Sequence, residues 1–573
     1  MILQALTQLY EDLAARGDIS RPGWSKAKIS YALCLDKDGG LIQVIPQFAE
    51  AQAGKKTVLR PQTKELPAAV TRSSGVLPNF LWDNSGYLLG VDEKGKPERS
   101  LECFRACARL HHALLDDVDS AAAKAILKFF DTWQPTHAAQ HPALTACWED
   151  LMKGANLAFR VDGHFAQEDP AIRSAWETHY HQTDGVQGQC LVTGKPDTVE
   201  PVHPLIKGVA GAQSSGAAIV SFNAPAFCSY GKEQSLNAPV GKYAAFAYTS
   251  ALNYLLADRD NVQRIGDTTV VCWAEGADPA YRKYSGALLF GNAPPQGLTN
   301  DALHAAVKRL ACGLPCEDLN LDPNRRFYIL GLSPNAARLS VRFFYRDTLG
   351  KIMQNVNAHY ARMEIAGNPF PVTPLWAMLR ETVNPHATDK SPSPVMAGAV
   401  ARAIFSGTYY PASLLEATML RIRAEREITP GRAAILKTYY LKNADKQCPE
   451  EVLHVSLNEN STNIPYTLGR LFAVYEAVQE QPNREINATI KDKYFNSAAA
   501  TPATIFPILD KLYQKHLRRL DTGLRIYYDR QVTQLKNILG EANPLRLTLP
   551  EQGSFNLGYY HQKQFIYAKK EEQ

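Results

Sequence analysis

The sequence predicts an α+β fold, in which mixed N-terminal and central domains are followed by a C-terminal helical bundle. Short segments that alternate apolar and polar residues occur before Pro371, and this is the pattern of half-buried strands. Beyond Pro371 the chain is predicted to be helical almost to its end, because Pro and Gly residues separate segments with helical spacing.

The N-terminal elements combine a helix with short strands. Leucines recur at helical spacing over Ile2–Ala15, and alternating segments flank Asp38-Gly39-Gly40, a typical hairpin turn. The strands predicted here are Lys28–Leu35 paired with Leu41–Ile45, and Phe80–Asn84 paired with Tyr87–Gly90.

The central elements alternate between helix and strand. Residues 101–180 are predicted to be helical, and a hairpin across Ser333-Pro334-Asn335 is predicted to join two strands. The other central elements are helices at Tyr243–Leu256 and Thr299–Leu310 and strands at Thr268–Trp273, Arg326–Leu332 and Arg338–Arg346.

A chain of 573 residues exceeds the size of one hydrophobic core and predicts several domains. A linker is predicted at Asn443–Glu451. The predicted domains are an α+β unit (1–100), a central α+β domain (101–370), a helical connector (371–445) and a helical bundle (452–573).

The composition is that of a globular protein, with 45% hydrophobic and 21% charged residues. A net charge of +5 permits nucleic-acid binding without requiring it. The ten cysteines form no CxxC pair, the N-terminus lacks a basic signal region, and no apolar run reaches about 18 residues. These features predict a cytoplasmic protein with reduced thiols and no membrane segment.

The most informative stretch is Cys190–Leu256, which is rich in glycine, lysine and short amide and hydroxyl side chains. Leu205–Lys232 contains no Asp, Glu or His. Glycines allow close backbone approach to a polymer, amides and hydroxyls bind phosphates or base edges, and lysines attract phosphate. The alternative is an ordinary strand on the apolar run Ala217–Val220, followed by a loop.

Two further patterns of basic residues are each compatible with nucleic-acid binding or with an ordinary solvent-exposed surface. On the predicted strand Arg338–Arg346, alternation places Arg338, Arg342 and Arg346 on one face. Near the C-terminus, Lys511, Lys515 and Arg518 follow helical spacing, with Arg519 adjacent.

A catalytic interpretation rests on a single cluster. His111, His112, Asp116 and Asp117 are suited to a metal-dependent phosphohydrolase, but no second His-Asp pair in a convincing context accompanies them. The sequence therefore predicts no catalytic centre, no metal site and no cofactor.

Six motifs, taken in order, resemble the large subunit of the type I-C CRISPR surveillance complex (Cascade), the Dvulg-subtype family. The motifs are FLWDNSGYLLG at Phe80–Gly90, the Cys190–Leu256 block with SFNAPAFCSYG, VVCWAE at Val270–Glu275, FYILGLSPNAARLSVRFF at Phe327–Phe344, YTLGRLFAVYEAVQE at Tyr466–Glu480 and GYYHQKQFIY at Gly558–Tyr567.

This resemblance implies a non-catalytic subunit that binds target double-stranded DNA at the protospacer-adjacent motif and promotes unwinding and R-loop formation. Its implied partners are the crRNA, the backbone and cap subunits, a small subunit and a helicase-nuclease effector, to which it would present the R-loop while holding the displaced strand. The C-terminal bundle resembles the small subunit, and an internal start at Val452 or Val455 would produce that part separately. A metal-dependent nuclease and a purely structural bridge are the alternatives.

Within this interpretation, two sets of residues are predicted to contact DNA. The residues predicted to read the motif are Gln213, Ser214, Ser215 and Asn223, with Arg72 and Asn79 in a second loop. The residues predicted to bind phosphates are Lys55, Lys56, Lys207, Lys232, Arg338, Arg342, Lys511, Lys515, Arg518 and Arg519.

Overall fold

The computed structural model confirms the α+β class, with several small sheets and a helical C-terminal region. It describes residues 1–53, 56–70, 75–91, 97–181, 185–370, 372–445, 447–482 and 488–568. The chain forms two compact units. Unit 1 comprises Met1–Pro204 and Ser221–Ala251, and unit 2 comprises Leu205–Val220 and Leu252–Gln573.

Unit 1 contains six α-helices and ten strands within the described ranges, together with the first part of a seventh α-helix. The helices are α1 (Ile2–Ala15), α2 (Ser85–Leu88), α3 (Pro97–Leu115), α4 (Ala121–Thr132), α5 (Trp148–Met152), α6 (Pro170–His181) and α7 (Lys242–Ala257), which continues into unit 2. The strands are β1 (Trp24–Ile29), β2 (Tyr31–Leu35), β3 (Leu41–Pro46), β4 (Phe48–Ala53), β5 (Lys56–Pro67), β6 (Trp82–Asn84), β7 (Asn156–Val161), β8 (His164–Phe165), β9 (Gln187–Gln189) and β10 (Pro196–Thr198).

The strands of unit 1 form three small sheets. The largest has the order β3-β2-β7-β6, with β8 paired to β7, and its β2–β7 pair is parallel. A second sheet has the order β1-β5-β4, and β9 pairs with β10. The predicted hairpin of Leu41–Ile45 is confirmed as β2–β3. The predicted first strand, Lys28–Leu35, is divided at Ser30: its first residues belong to β1 and the rest form β2. These two strands lie in different sheets.

Two predictions for unit 1 are wrong. Residues 101–180 are not wholly helical, because β7 crosses this region and pairs with three strands in the middle of the largest sheet. Tyr87 lies in α2 instead of a strand. The side-chain oxygen of Asn84 accepts a hydrogen bond from the Gly86 N–H at 3.0 Å, and this cap starts the helix immediately after β6.

The core of unit 1 surrounds a buried histidine on α3. The backbone N–H of Leu81 donates to His111 Nε2 at 3.0 Å, so His111 Nδ1 donates to the Cys107 carbonyl at 2.8 Å. Leu81 has a φ of 65°, which is costly for a leucine. The histidine therefore fixes a strained backbone position at the entry to β6, and burial lowers its pKa to about 4.

Unit 2 begins with a four-stranded antiparallel sheet and continues as helices. The strands, in spatial order, are β11 (Gln263–Ile265), β12 (Thr268–Ala274), β13 (Arg326–Asn335) and β14 (Arg338–Thr348). The helices are α8 (Pro279–Phe290), α9 (Asn300–Ala311), α10 (Leu349–Met363), α11 (Leu375–Arg380), α12 (Pro394–Ser406), α13 (Ala412–Glu425), α14 (Pro430–Asn443), α15 (Ile464–Glu480), α16 (Ile490–Ala500), α17 (Pro502–Leu517), α18 (Thr522–Leu539) and α19 (Leu549–Ala568).

The hydrophobic core of unit 2 is continuous from the sheet to the last helix, Ile265 to Ile566. It runs through the predicted linker, where Cys448 is a buried member of the core, and Val452, the residue that follows the linker, is another. The central helix α15 is buried along nearly its whole length, and it packs closely against α19. Even its charged Arg470 is buried, and its Nε donates to Gln562 Oε1 at 3.0 Å.

The hairpin β13–β14 is confirmed, but its turn differs from the prediction. Both strands extend until Asn335 pairs with Arg338, so the turn consists of Ala336 and Ala337 instead of Ser333-Pro334-Asn335. Ala336 has a φ of 52°, as tight two-residue hairpin turns require. None of the helices in the described part of the chain has the length and apolarity needed to cross a bilayer.

Candidate nucleic-acid interface

In unit 2, Leu205–Val220 forms a loop with a closed neck. Ile206 and Ala217 exchange two backbone hydrogen bonds, both 2.9 Å long. The next residue joins the loop to the β13–β14 turn: Ala218 N donates to the Ala337 carbonyl at 3.0 Å, and Leu339 N donates to the Ala218 carbonyl at 2.8 Å. The run Ala217–Val220 is thus anchored by single bridges and forms no strand.

Two polar side chains from neighbouring elements hydrogen-bond to the backbone of this loop. Asn253 of α7 binds the backbone on both sides of Ile206. Its Oδ1 accepts from Lys207 N at 2.8 Å, and its Nδ2 donates to the Leu205 carbonyl at 3.1 Å. Thr269 of β12 accepts from Ala210 N at 3.0 Å through its Oγ1. These bonds give the loop a defined backbone before any partner binds.

Gly216 closes the loop at a position that only glycine fits. Its φ is 110°, outside the range of other residues, and a Cβ there would lie 2.8 Å from Leu205 Cβ and 3.0 Å from the Ile206 carbonyl oxygen. Glycine at this position therefore allows the two arms of the neck to lie side by side.

The tip of this loop carries three of the predicted motif-reading residues. Gln213, Ser214 and Ser215 are consecutive and exposed on a turn in which Gly216 N donates to the Gln213 carbonyl at 3.0 Å. Lys207 is exposed at the neck. The structure thus brings amide, hydroxyl and ammonium groups together on one ordered loop.

The two arginines predicted to bind phosphates lie on β14 in different settings. Arg338 starts the strand beside the point where Ala218 is attached. Arg342 occupies a bulge, because Gly331 pairs with Phe343 while Leu332 pairs with Val341. The predicted alternation is therefore interrupted at Arg342, whose guanidinium forms an ion pair with Asp267 at 3.0 Å.

In unit 1, Ser221–Gly241 forms a second loop, which carries Asn223 and Lys232, both exposed. Its central turn is Ser229–Lys232, where Lys232 N donates to the Ser229 carbonyl at 3.0 Å. Tyr230 and Gly231 have φ values of 54° and 66°, the signature of a type I′ turn. A tyrosine in this region costs about 1 to 2 kcal/mol relative to glycine.

Asn237 holds this turn from inside the loop. Its Oδ1 accepts from Ser229 N at 2.8 Å, and its Nδ2 donates to the carbonyls of Lys232 and Gln234 at 3.0 and 2.9 Å. The loop ends where Gly241 pairs with Val199. Beside this point, burial lowers the pKa of Lys242, an effect that the nearby Glu200 and Asp197 oppose.

The second predicted motif-reading loop is described in part. Lys55 and Arg72 lie outside the described residues, and of Lys56 only the backbone, the first residue of β5, is described. Asn79 is buried: its Oδ1 accepts from Val70 N and its own N–H donates to Asp83, both at 2.9 Å. In this conformation, Asn79 supports the chain and is inaccessible to a base.

The C-terminal basic residues form an exposed surface on α17 and the turn that follows. Lys511 and Lys515 are one helical turn apart on α17, and Arg518 and Arg519 follow its last residue. Lys536 of α18 differs from them, because it forms an ion pair with Asp510 at 2.9 Å. We refer to Lys511, Lys515, Arg518 and Arg519 as the α17 basic surface.

The residues of the catalytic alternative are engaged in other contacts. Both ring nitrogens of His111 are hydrogen-bonded in the core, as described above. His112 contacts Asp116 at 2.8 Å and Asp131 at 3.1 Å, and its pKa is raised chiefly by the hydrogen bond to Asp116. Over the ranges that the structure describes, no group of three or more His, Cys, Asp and Glu residues is arranged to hold a metal.

Sequence reasoning missed the clamps and the aromatic residues of these loops. Asn253 and Asn237 order the loops, and their role depends on contacts with distant backbone groups that local spacing does not reveal. Phe227 and Tyr230 are 42% and 99% exposed. The segment SFNAPAFCSYG could have indicated these exposed rings, because its aromatic residues interrupt a polar loop without any apolar periodicity.

The chain is a CRISPR-associated protein, because a family model of that description matches residues 6–567. It belongs to the Cas_Csd1 family, and the resemblance to the large subunit of the type I-C complex is confirmed at the level of the family. None of the curated proteins matches the sequence.

Proposed function

We propose that this protein is the non-catalytic subunit of a cytoplasmic, crRNA-guided surveillance complex that recognises a short motif on duplex DNA. Guide pairing then supplies the sequence specificity, and the opened DNA is presented to a separate helicase-nuclease. Its other proposed partners are the backbone, cap and small subunits of the complex. Membership of the Cas_Csd1 family supports this assignment, since a Cascade component must cooperate with crRNA and target DNA.

The observation that most supports motif recognition is the ordered loop Leu205–Val220. Its neck is fixed by backbone pairing and by Asn253, so the backbone that carries Gln213, Ser214 and Ser215 has little freedom left to lose on binding. Glutamine and serine contact base edges, while Lys207 is suited to a phosphate. The acid-free composition of the loop avoids repulsion of the DNA backbone.

Base reading and phosphate binding predict different losses on mutation. In the assembled complex, Gln213→Ala is expected to reduce the preference for the best motif by about 10-fold, because a side-chain contact to a base edge is lost. Lys207→Gln is expected to weaken all duplexes alike and to lower the slope of log affinity against log salt by about 0.9. Binding to duplexes with a randomised segment beside the protospacer, measured at several salt concentrations, distinguishes the two effects.

Gln296→Ala is the matched control for Gln213→Ala, since Gln296 is another exposed glutamine of unit 2. It should leave both motif preference and affinity unchanged. Unaltered motif preference in Gln213→Ala, Ser214→Ala, Ser215→Ala and Asn223→Ala together would instead assign the protein a purely structural role.

The α17 basic surface is proposed to hold the displaced strand. Each Lys→Gln or Arg→Gln change among its four members is expected to lower the salt slope of single-strand binding by about 0.7. The measurement is the affinity of the assembled complex for a target with a fluorescent displaced strand. Lys124→Gln, which removes an exposed lysine paired with Asp119 at 2.7 Å, is the control. Equal slopes for all variants and the wild type would exclude this surface from strand binding.

A further inference from the structure

Tyr230 is the most exposed aromatic side chain in the described part of the chain, at 99% of its full accessible area. It stands at the tip of the Ser229–Lys232 turn, in the left-handed backbone region that Asn or Gly normally fills in a type I′ turn. An exposed ring gains nothing from burial in the free protein. Tyr230 thus has an unfavourable backbone conformation and a side chain that only a binding partner could bury.

The turn that presents Tyr230 is rigid, which favours a defined contact over a mobile one. Asn237 fixes it through three hydrogen bonds to the backbone, and the turn has its own hydrogen bond between Lys232 N and the Ser229 carbonyl. The backbone that carries the ring is therefore held in one conformation, and the ring projects from it into solvent.

The groups beside Tyr230 are those that bind a nucleic-acid strand. Lys232 is exposed two residues along, and Phe227, another aromatic residue of the loop, is 42% exposed. Aromatic rings stack on unpaired bases of any sequence, and a neighbouring ammonium group binds the phosphate. Bulky side chains such as phenylalanine are also known to insert between base steps from the minor groove and to unstack them.

We propose that Tyr230 stacks on a base exposed at the edge of the opened duplex and so stabilises the separated strands. This inference rests on the proposed DNA-opening function and names the residue that captures the first unpaired base. Lys232 binds the adjoining phosphate. The stacking requires an aromatic ring and no phenolic hydroxyl, so Tyr230→Phe and Tyr230→Trp retain it, whereas Tyr230→Ala loses it.

The test uses the assembled complex and a target duplex with 2-aminopurine one base pair beyond the first pair beside the motif, so that fluorescence reports duplex opening at a base that does not stack on Tyr230. Tyr230→Ala is expected to slow motif-dependent opening by about 10-fold. Tyr230→Phe should restore the wild-type rate, and a target already unpaired beside the motif should rescue Tyr230→Ala. Tyr409→Ala, which removes a tyrosine of unit 2 that is 71% exposed, should open DNA as the wild type does.

The outcomes separate this inference from the function on which it rests. Wild-type opening with an equal rate for Tyr230→Ala overturns the role of Tyr230 alone, as does failure of the unpaired target to rescue the variant. Absence of motif-dependent opening by the wild-type complex overturns the proposed function together with the inference. Loss of another subunit from the Tyr230→Ala complex, seen by native mass spectrometry, would show that the ring binds a protein instead of DNA.

Discussion

Replacing Gly469 or Gly558 by alanine is expected to destabilise unit 2 by about 3 kcal/mol or more, the upper range for overpacking. A Cβ at Gly469 would overlap the carbonyl oxygen of Phe555, and a Cβ at Gly558 would overlap the carbonyl oxygen of Tyr466. Helices α15 and α19 thus contact each other backbone to backbone at both positions. No side chain can rotate away to make room, so the helices must move apart and open the core.

Hydrogen exchange measured by mass spectrometry, together with urea unfolding, checks this expectation. Peptides from α15 and α19 should lose protection in Gly469→Ala and Gly558→Ala, while peptides from β2 and β7 in unit 1 keep theirs. Gly523→Ala is the control, because a Cβ on this residue of α18 would approach only Asp521 Oδ1, at 3.4 Å. Wild-type protection of α15 in Gly469→Ala would contradict the close helix contact.

The stability of each unit is expected to fall steeply as the pH drops from about 6.5 to 5, because each unit buries two neutral histidines. Burial lowers the pKa to about 4 for His111 and His203 in unit 1, and to about 3 for His359 and His561 in unit 2. An unfolded histidine has a pKa near 6.5, so the unfolded state binds these protons first.

The direction of the pH dependence follows from the difference between the folded-state and unfolded-state pKa values. Folded-state pKa values below the unfolded value mean that the histidines contribute their full stability above about pH 6.5 and lose it as the pH falls towards 4 or 3. Two such groups give a slope of up to about 2.7 kcal/mol per pH unit in each unit. His112 opposes this trend in unit 1, because its pKa is raised by Asp116.

Three of these histidines share one arrangement, which explains why a proton is costly there. Nδ1 of His203, His359 and His561 is hydrogen-bonded to a tyrosine hydroxyl at 2.7, 2.7 and 2.9 Å. Their buried Nε2 atoms have no hydrogen-bond partner among the residues that the structure describes. In the protonated ring the N–H group at Nε2 would have no acceptor, and the charge would be unsolvated in the core.

Urea unfolding at pH 7.5, 6.5, 5.8 and 5.2 would measure the slope before most carboxylates titrate. His359→Gln should roughly halve the slope of unit 2 and leave that of unit 1 unchanged, even though it lowers the stability at pH 7.5. An identical slope in wild type and His359→Gln would show that these histidines do not govern the acid sensitivity.

Particular elements show which parts of this fold are locally encoded. The helix predicted at Tyr243–Leu256 is confirmed as α7, Lys242–Ala257, and the strand at Thr268–Trp273 is confirmed as β12, because their apolar patterns and flanking turn residues define them. The strand β7 was missed, since its environment arises from pairing with β2, more than 120 residues earlier. Tyr87 was misassigned because the cap by Asn84 outweighed its strand propensity.

For the candidate interface too, the sequence indicated some features and the tertiary structure decided others. Composition indicated a polar, acid-free loop region, and Gln213, Ser214 and Ser215 are exposed on one turn as a binding loop requires. Tertiary structure decided that Asn79 is buried and that Arg342 sits in a bulge paired with Asp267. It also divided the predicted block, placing Gln213 in unit 2 and Asn223 in unit 1.

The sequence by itself determined the family, the α+β class and the chemical character of the loops, because these depend on residue order, local periodicity and composition. Only the tertiary structure decided which polar side chains are exposed, which glycines allow two helices to touch and how Asn253 and Asn237 fix the loops. Exposure and clamping arise from contacts between residues far apart in the chain, and local propensity carries no information about such contacts.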